Sequence, residues 1–337
     1  MKITNLPLVT VVVPTYNRAA EVIPCLQSLL TQDYPHFEII VIDDGSAVPV
    51  MPLLEKHGLL EKRVQVIRFS ENRGVGAARQ AGIEHSRAEY VAFTDDDATY
   101  PVGWLSVLVS SLGDAAGVGG PYNTHPSFSF FPKLLSHHNM MGKVRTVQGV
   151  VTSICGGNCL FRRSVLNELN GFTGFPREGE DRYLCYRMRR HGYELQYAEK
   201  AICYHRPRTT LTGFAARCRT TSRAHINLLK LFPSEYSLGW AELFTSDRIN
   251  PNMVLQFPKN LIRIAYHSIA FIPSWFVVLL TLLMKRVGLS EGVLFNELIS
   301  PLIGWALRET RGQISDFWMS YFWAIDQFSA RKGITNS

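Results

Sequence analysis

The chain is short of the signatures that would assign it elsewhere. Its six cysteines, at positions 25, 155, 159, 185, 203 and 218, form no Cys-x-x-Cys pair. Cys155-x-x-x-Cys159 has no second pair to complete a metal site, so free thiols acting as small hydrophobes are expected. The six-residue glycine pattern of dinucleotide-binding turns is absent. Neither an internal repeat nor a low-complexity linker is visible. Leu8 to Val13 is too short for the core of a signal peptide. Asp and Glu are missing altogether from Lys200 to Ser234, which carries Lys200, Arg206, Arg208, Arg217, Arg219, Arg223 and Lys230. No aromatic-interleaved or other nucleic-acid motif accompanies that basic stretch, so nucleic acid is not the expected partner.

What the chain does have is a series of apolar segments that end in polar residues. Leu8 to Val13 runs into Pro14-Thr15-Tyr16-Asn17-Arg18, and Phe37 to Ile42 into Asp43-Asp44-Gly45-Ser46. Val64 to Arg68 precedes Asn72-Arg73-Gly74-Val75-Gly76-Ala77-Ala78-Arg79, and Tyr90 to Phe93 ends in Thr94-Asp95-Asp96-Asp97. Helical patterns over Glu21–Gln32, Val50–Leu60 and Gly76–His85 fill the gaps. Strand and helix thus alternate four times in about a hundred residues, which predicts a parallel sheet with helices on both faces. Ligands of such sheets bind outside the carboxyl ends of the strands. Three consecutive carboxylates repel one another and gain nothing from burial unless something cationic meets them. An oxygen-only set suits Mg²⁺ or Mn²⁺, ions that commonly arrive with a phosphate. A solvated turn after a strand is the other reading of the same triplet.

Val-Val-Pro-Thr-Tyr-Asn-Arg, Val-Ile-Asp-Asp-Gly-Ser, Asn-Arg-Gly-Val-Gly-Ala-Ala-Arg and Phe-Thr-Asp-Asp-Asp, in this order, resemble the family 2 glycosyltransferases of GT-A fold, over roughly Val9 to His205. The resemblance implies a nucleotide-sugar held by Pro14, Thr15, Tyr16, Arg18, Asp44, Asn72, Arg79, Asp95 and Asp96. It implies Mn²⁺ or Mg²⁺ on Asp97, with Asp95 nearer the ribose or donor sugar, and His205 as a further metal ligand. In such enzymes a carboxylate at the place of Asp181, in Glu178-Gly179-Glu180-Asp181, is the catalytic base of an inverting transfer. Trp104, Gly157, Asn158 and Glu180 fall on the acceptor side. Base recognition by Asp44 suits uracil or thymine, whose ring N3–H a carboxylate can accept, so UDP- or dTDP-sugars are favoured. The Gln-x-x-Arg-Trp of processive synthases is absent after Asp181, so single-sugar transfer is expected.

The residues of the second half agree with that picture. Cys155 to Phe161 reads as a strand approached closely by something, because paired glycines remove side chains there. Arg163 to Leu169 reads as a short helix, and the helix opened by Glu180 runs through Met188 to stop at Gly192. His205 ends the strand-like run Ala201 to Tyr204. His125, His137 and His138, in an acceptor region without a readable pattern, are expected at the surface. The expected organisation is a catalytic domain over 1–206, with a nucleotide-sugar half to 100 and an acceptor half to 206, then a basic and hydrophobic helical region over 207–337. Ile264 to Met284 holds no charged residue over 21 positions, between Arg263 and Lys285-Arg286. That length reaches across a bilayer, and Trp318, Tyr321, Phe322, Trp323 and Phe328 resemble interfacial aromatics. The expectation is a domain on the cytoplasmic face of a membrane, acting on a lipid-linked or glycan acceptor, with the basic stretch against anionic lipid. A nucleotidyltransferase would carry a Gly-rich, Lys/Arg-bearing loop after its first strand, which Pro14-Thr15-Tyr16-Asn17 is not. The alternative of a membrane-anchored, non-catalytic protein with a transferase fold would show a missing carboxylate, yet Asp44, Asp95, Asp97 and Asp181 are all present.

Overall fold

A computed structural model describes residues 6–60, 63–124, 145–147, 150–174 and 179–206, with Leu228 and Leu231 beyond them. The chain divides into two units, Met1–Ser127 with Asn139–Pro207, and Phe128–His138 with Arg208–Ser337. Apart from Leu228 and Leu231 the second unit lies outside the described residues, as do His125, His137, His138, Glu178 and the apolar stretch 264–284. Among the described residues no helix is long and apolar enough to cross a membrane.

The described elements follow in chain order: β1 (Val9–Thr15), α1 (Ala19–Leu30), β2 (Phe37–Asp43), α2 (Met51–Lys56), β3 (Val64–Arg68), α3 (Val75–His85), β4 (Tyr90–Thr94), β5 (Ala98–Thr99) and α4 (Trp104–Leu112). Then come β6 (Gly117–Gly119), β7 (Tyr122–Thr124), β8 (Arg145–Val147), β9 (Val150–Ser153), β10 (Asn158–Arg162), α5 (Arg163–Glu168), α6 (Glu180–Arg190), β11 (Leu195–Tyr197) and β12 (Cys203–His205). Seven strands form the main sheet in the order β11-β6-β10-β4-β1-β2-β3. All neighbouring pairs are parallel except those of β10, which runs antiparallel to both β4 and β6. A small sheet, β5-β12-β7, and a β8-β9 hairpin complete it.

Val-Thr-Val-Val-Val has no polar face because helices cover both faces of β1, as parallel strands require. Alternation then sorts the strand residues between two cores. Val9, Val11, Val13, Ile39 and Val41 pack with Val22, Leu26 and Leu29 of α1 and Leu105 and Leu108 of α4. Val12, Ile40 and Ile42 pack with Ala78 and Ala81 of α3, Leu166 of α5 and Leu184 and Met188 of α6. Helix α3 lies so close to β1 that a Cβ on Gly82 would meet Val12 Cγ1 at 2.4 Å. Three spans are clearly shorter than expected, among them β12, which begins at Cys203 and not at Ala201. Helix α2 stops at Lys56, before Gly58 at φ +66°, and β10 begins at Asn158 because Cys155–Gly157 is not strand.

Candidate active site

Strands β1, β2 and β4 are parallel and in register, Thr15 against Asp43 and Val12 against Phe93, so their carboxyl ends share one edge. The Asp triplet leaves that edge with its members turned to different partners. Asp96 points back into the protein, where its Oδ2 accepts from Thr15 Oγ1 at 2.8 Å and its Oδ1 from Arg18 Nη1 at 3.0 Å. Burial, with the Asp97 charge added, pushes its carboxyl up to about 6, although Arg18 and Thr15 favour the ionised form. Arg18 also donates to Asp97 Oδ2 at 2.6 Å. Thr15, Arg18 and Asp96 thus form an internal brace. Pro14 is buried inside β1, whereas Tyr16 is 44% exposed at the edge.

Strand β12 pairs His205 with Ala98, the residue after the triplet. The ring is thereby placed with Nε2 2.9 Å from Asp97 Oδ1. Asp95, Asp97 and His205 each offer a ligand atom, all within 4.8 Å of one another. The buried Nδ1 of His205 has no hydrogen-bond partner among the described residues. Two carboxylates and an imidazole fit Mn²⁺ by donor type and charge. Asp95, expected nearer the ribose or donor sugar, belongs to this cluster.

Asp44 is 3% exposed and committed to a loop. Its Oδ1 accepts from the Arg73 N–H at 2.7 Å, and its Oδ2 from the Gly74 N–H at 2.8 Å and Asn72 Nδ2 at 2.9 Å. Asp43 does the same for Ser46 N–H at 2.9 Å and Val50 N–H at 3.2 Å. These carboxylates fix the loops that frame the edge, and Asn72 serves as one of the fasteners.

Arg79 neither lies on the surface nor opens onto the crevice: it is 4% exposed on α3. Its guanidinium donates from Nη1 to Glu180 Oε1 at 2.5 Å and from Nη2 to Asp95 Oδ1 at 3.0 Å. The guanidinium thus forms an internal fork between two carboxylates, buried away from solvent, where the resemblance implied a contact to the nucleotide-sugar. Glu180 opens α6 and is 7% exposed. Burial and the adjacent Asp181 raise its carboxyl above the usual range, against the pull of Arg79. Asp181 is only half-buried, and its Oδ2 accepts the Gly156 N–H at 3.0 Å.

The paired glycines are approached as their sequence implied. A Cβ on Gly156 would lie 2.6 Å from Arg79 Nη1, and one on Gly157 would lie 2.1 Å from Asp95 Oδ2. Two tyrosines that carry no motif close this wall. Tyr122 Oη donates to Asp95 Oδ2 at 3.1 Å, and burial keeps its phenol far above the usual value, hence protonated. Tyr100 Oη accepts the Asp95 N–H at 3.0 Å and donates to the Gly157 carbonyl at 2.8 Å. Tyr122 belongs to a three-residue strand, too short to read from its pattern.

Two expected acceptor-side residues are core instead. Trp104 is 1% exposed, packed against Tyr100 with the rings tilted by 50°, and its indole N–H donates to Asn158 Oδ1 at 2.7 Å. Asn158 is fully buried, and its Nδ2 donates to the carbonyls of Pro121 at 3.0 Å and Ala201 at 2.9 Å. It ties β10 to the segments entering β7 and β12.

The family model described as Glycosyl transferase family 2 matches residues 10–169, and that of Glycosyl transferase family group 2 matches residues 90–323, more than half of the chain. The glycosyltransferase AglE of Haloferax volcanii is 28% identical over 208 residues, 60% of this chain and 68% of that protein. An N-acetylglucosaminyltransferase of Rhizobium meliloti is 30% identical over 219 residues, 58% of this chain and 50% of that protein. For two relatives from Bacillus subtilis the match spans only 36% and 31% of their length. The mannosyltransferase PcManGT from Pyrobaculum calidifontis, solved with GDP-Man and Mn²⁺, shares the fold at a TM-score of 0.57 and 20% identity, over 96% of this chain and 88% of that one.

Proposed function

Because this chain belongs to the family 2 glycosyltransferases, we propose that it moves one sugar, with inversion, from a nucleotide-sugar to a hydroxyl of a lipid-linked or glycan acceptor. The observation that carries this is the meeting of Asp95, Asp97 and His205 at the carboxyl edge of the sheet, on the same wall as the half-buried Asp181. Asp97 and His205, with Asp95 beside them, would hold Mn²⁺ or Mg²⁺, an ion that neutralises charge on a leaving diphosphate. Asp181 takes the proton of the acceptor hydroxyl as that oxygen bonds to the anomeric carbon. The bond from that carbon to the diphosphate oxygen breaks with its electron pair leaving on the nucleoside diphosphate. A positioned base of this kind contributes about 10²–10⁴-fold.

The chain's own residues do the rest. Asp44 shapes the floor under the nucleotide through the 72–74 loop. Three of its roughly four acceptor positions are taken, and the last suits the N3–H of uracil or thymine. Exposed Tyr16 stands at the rim. The uncharged stretch 264–284 supports action at the cytoplasmic face of a membrane.

The test is titration calorimetry of UDP, dTDP, GDP and CMP with and without Mn²⁺. Mn²⁺-dependent binding of one diphosphate, lost in Asp97→Asn and kept in Asp181→Asn, is expected, and Asp181→Asn should bind without turning over. Binding of none would favour a non-catalytic protein of transferase fold. Full transfer by Asp181→Asn would remove it as the base.

A further inference from the structure

Arg79 is the buried cation least explained by donor binding, since both its terminal nitrogens are engaged inside the protein and its Nε has no partner among the described residues. It stands where two carboxylates of different duty meet. On one side is Asp95, a member of the Asp95–Asp97–His205 cluster. On the other is Glu180, the first residue of α6 and the neighbour of Asp181. Against the guanidinium lies the backbone of Gly156, close enough that a Cβ would be 2.6 Å from Nη1. The N–H of that same glycine holds Asp181 Oδ2. Asp181 is therefore located by the turn that Glu180 opens, where the Arg182 N–H meets Asp181 Oδ1 at 2.7 Å, and by the peptide of Gly156; Arg79 bonds Glu180 and lies against Gly156.

Resting on the function proposed above, we infer that Arg79 is a positioning residue for the base: its fork transmits the placement of Asp95 in the donor cluster to Asp181, through Glu180 on one side and Gly156 on the other. A guanidinium suits this because its planar donors are fixed relative to one another, so moving Asp95 or Glu180 moves the other. An ammonium is a point charge that holds one partner well and leaves its second contact unspecified. Asp95 also accepts from Tyr122 Oη, and its N–H is tied through Tyr100 to Gly157. Asp95 is thus anchored on the Gly156–Gly157 wall, and Arg79 relates it to α6.

The experiment compares wild type, Arg79→Lys, Gly156→Ala, Asp181→Asn and Arg79→Lys/Asp181→Asn as full chains. Each is supplied with UDP-, dTDP- and GDP-linked sugars, water serving as acceptor, and release of diphosphate is followed at saturating donor. Calorimetry with UDP, dTDP and GDP in Mn²⁺ counts intact donor sites. In both single variants at the Arg79 contact, kcat per intact site should fall about 10²-fold, the usual effect of a small misplacement of a reacting group. Donor KM and diphosphate affinity should stay within about threefold of the parent, because uniform binding is untouched.

The double variant should be no slower than Asp181→Asn alone, since a residue acting through the base has no effect once the base is gone. A merely structural Arg79 would multiply the two losses, and a donor ligand would lose affinity in step with kcat/KM; either result overturns the inference. Should Arg79→Lys fail to fold, Gly156→Ala reads the same contact from the other side. If wild type turns over and Gly156→Ala keeps its kcat, the strut alone falls. If wild type releases diphosphate from no donor, the functional reading falls and takes the strut with it.

Discussion

Removing the Asp44 carboxylate separates two jobs that this residue could have. The resemblance assigns it to the donor base, whereas its contacts make it the fastener of the loop before α3. In Asp44→Ala the N–H groups of Arg73 and Gly74 lose their acceptor and the amide of Asn72 loses the carboxylate, keeping the Asp44 carbonyl at 3.4 Å. An unmet bond to a charged acceptor costs about 1–3 kcal/mol where water cannot replace it. Arg73 is exposed and Asn72 half-buried, so water recovers part, leaving about 2–4 kcal/mol for the three together. For a unit of this size that lowers Tm by roughly 5–15 °C. Asp44→Asn keeps one acceptor oxygen but turns an NH₂ towards N–H donors, and its loss should fall between the parent and the alanine variant. Thermal melts followed by circular dichroism give the stability, and calorimetry with UDP and Mn²⁺ gives the affinity. A fastener loses stability with or without nucleotide, and affinity follows because the loop has shifted. Unchanged melting, within about 2 °C, together with lost UDP binding would refute the reasoning and make Asp44 a direct reader of the base.

Three further outcomes follow from single contacts. Trp104→Phe removes the indole donor to Asn158 and should cost about 1–3 kcal/mol of stability with kcat per folded molecule unchanged. A raised acceptor KM at unchanged stability would return Trp104 to the acceptor side. Burial, reinforced by Asp181, pushes Glu180 from its ordinary 4.5 to about 7, so the folded protein keeps a proton that the unfolded chain releases. Stability from this group is complete below pH 4.5 and is lost as pH rises to about 7. Glu180→Gln should therefore gain on the parent in urea midpoint between pH 5 and pH 7.5, and a constant difference across that range would contradict the assignment. Gly82→Ala drives a Cβ to 2.4 Å from Val12 and should cost about 1–3 kcal/mol, part of it recovered in Gly82→Ala/Val12→Ala. A neutral Gly82→Ala would show that α3 can step off β1.

The carboxyl edge was legible because strands buried on both faces read as unbroken apolar runs, and their polar terminators mark one side of the sheet. Residue type along such a run does not give direction, however. Nothing in Asn-Cys-Leu-Phe-Arg distinguishes the antiparallel β10 from a parallel strand, and Trp104 at the start of an apolar helix could face core or crevice equally well. Asp44 carries a second duty that its sequence does not show, because two of its three side-chain partners are backbone N–H groups, which every sequence possesses. The Asp triplet was legible as a problem and not as a solution. Three adjacent carboxylates need cations, and the fold supplies them from separate elements. Arg18 after β1 meets Asp96 and Asp97 and Arg79 from α3 meets Asp95, while the His205 ring from β12 lies against Asp97. Dividing the triplet in this way turns Asp96 inward as a brace and leaves Asp95 and Asp97 within reach of one shared ion. It also accounts for the glycine pair, because a guanidinium and a carboxylate brought together over Gly156 and Gly157 leave no room there for side chains.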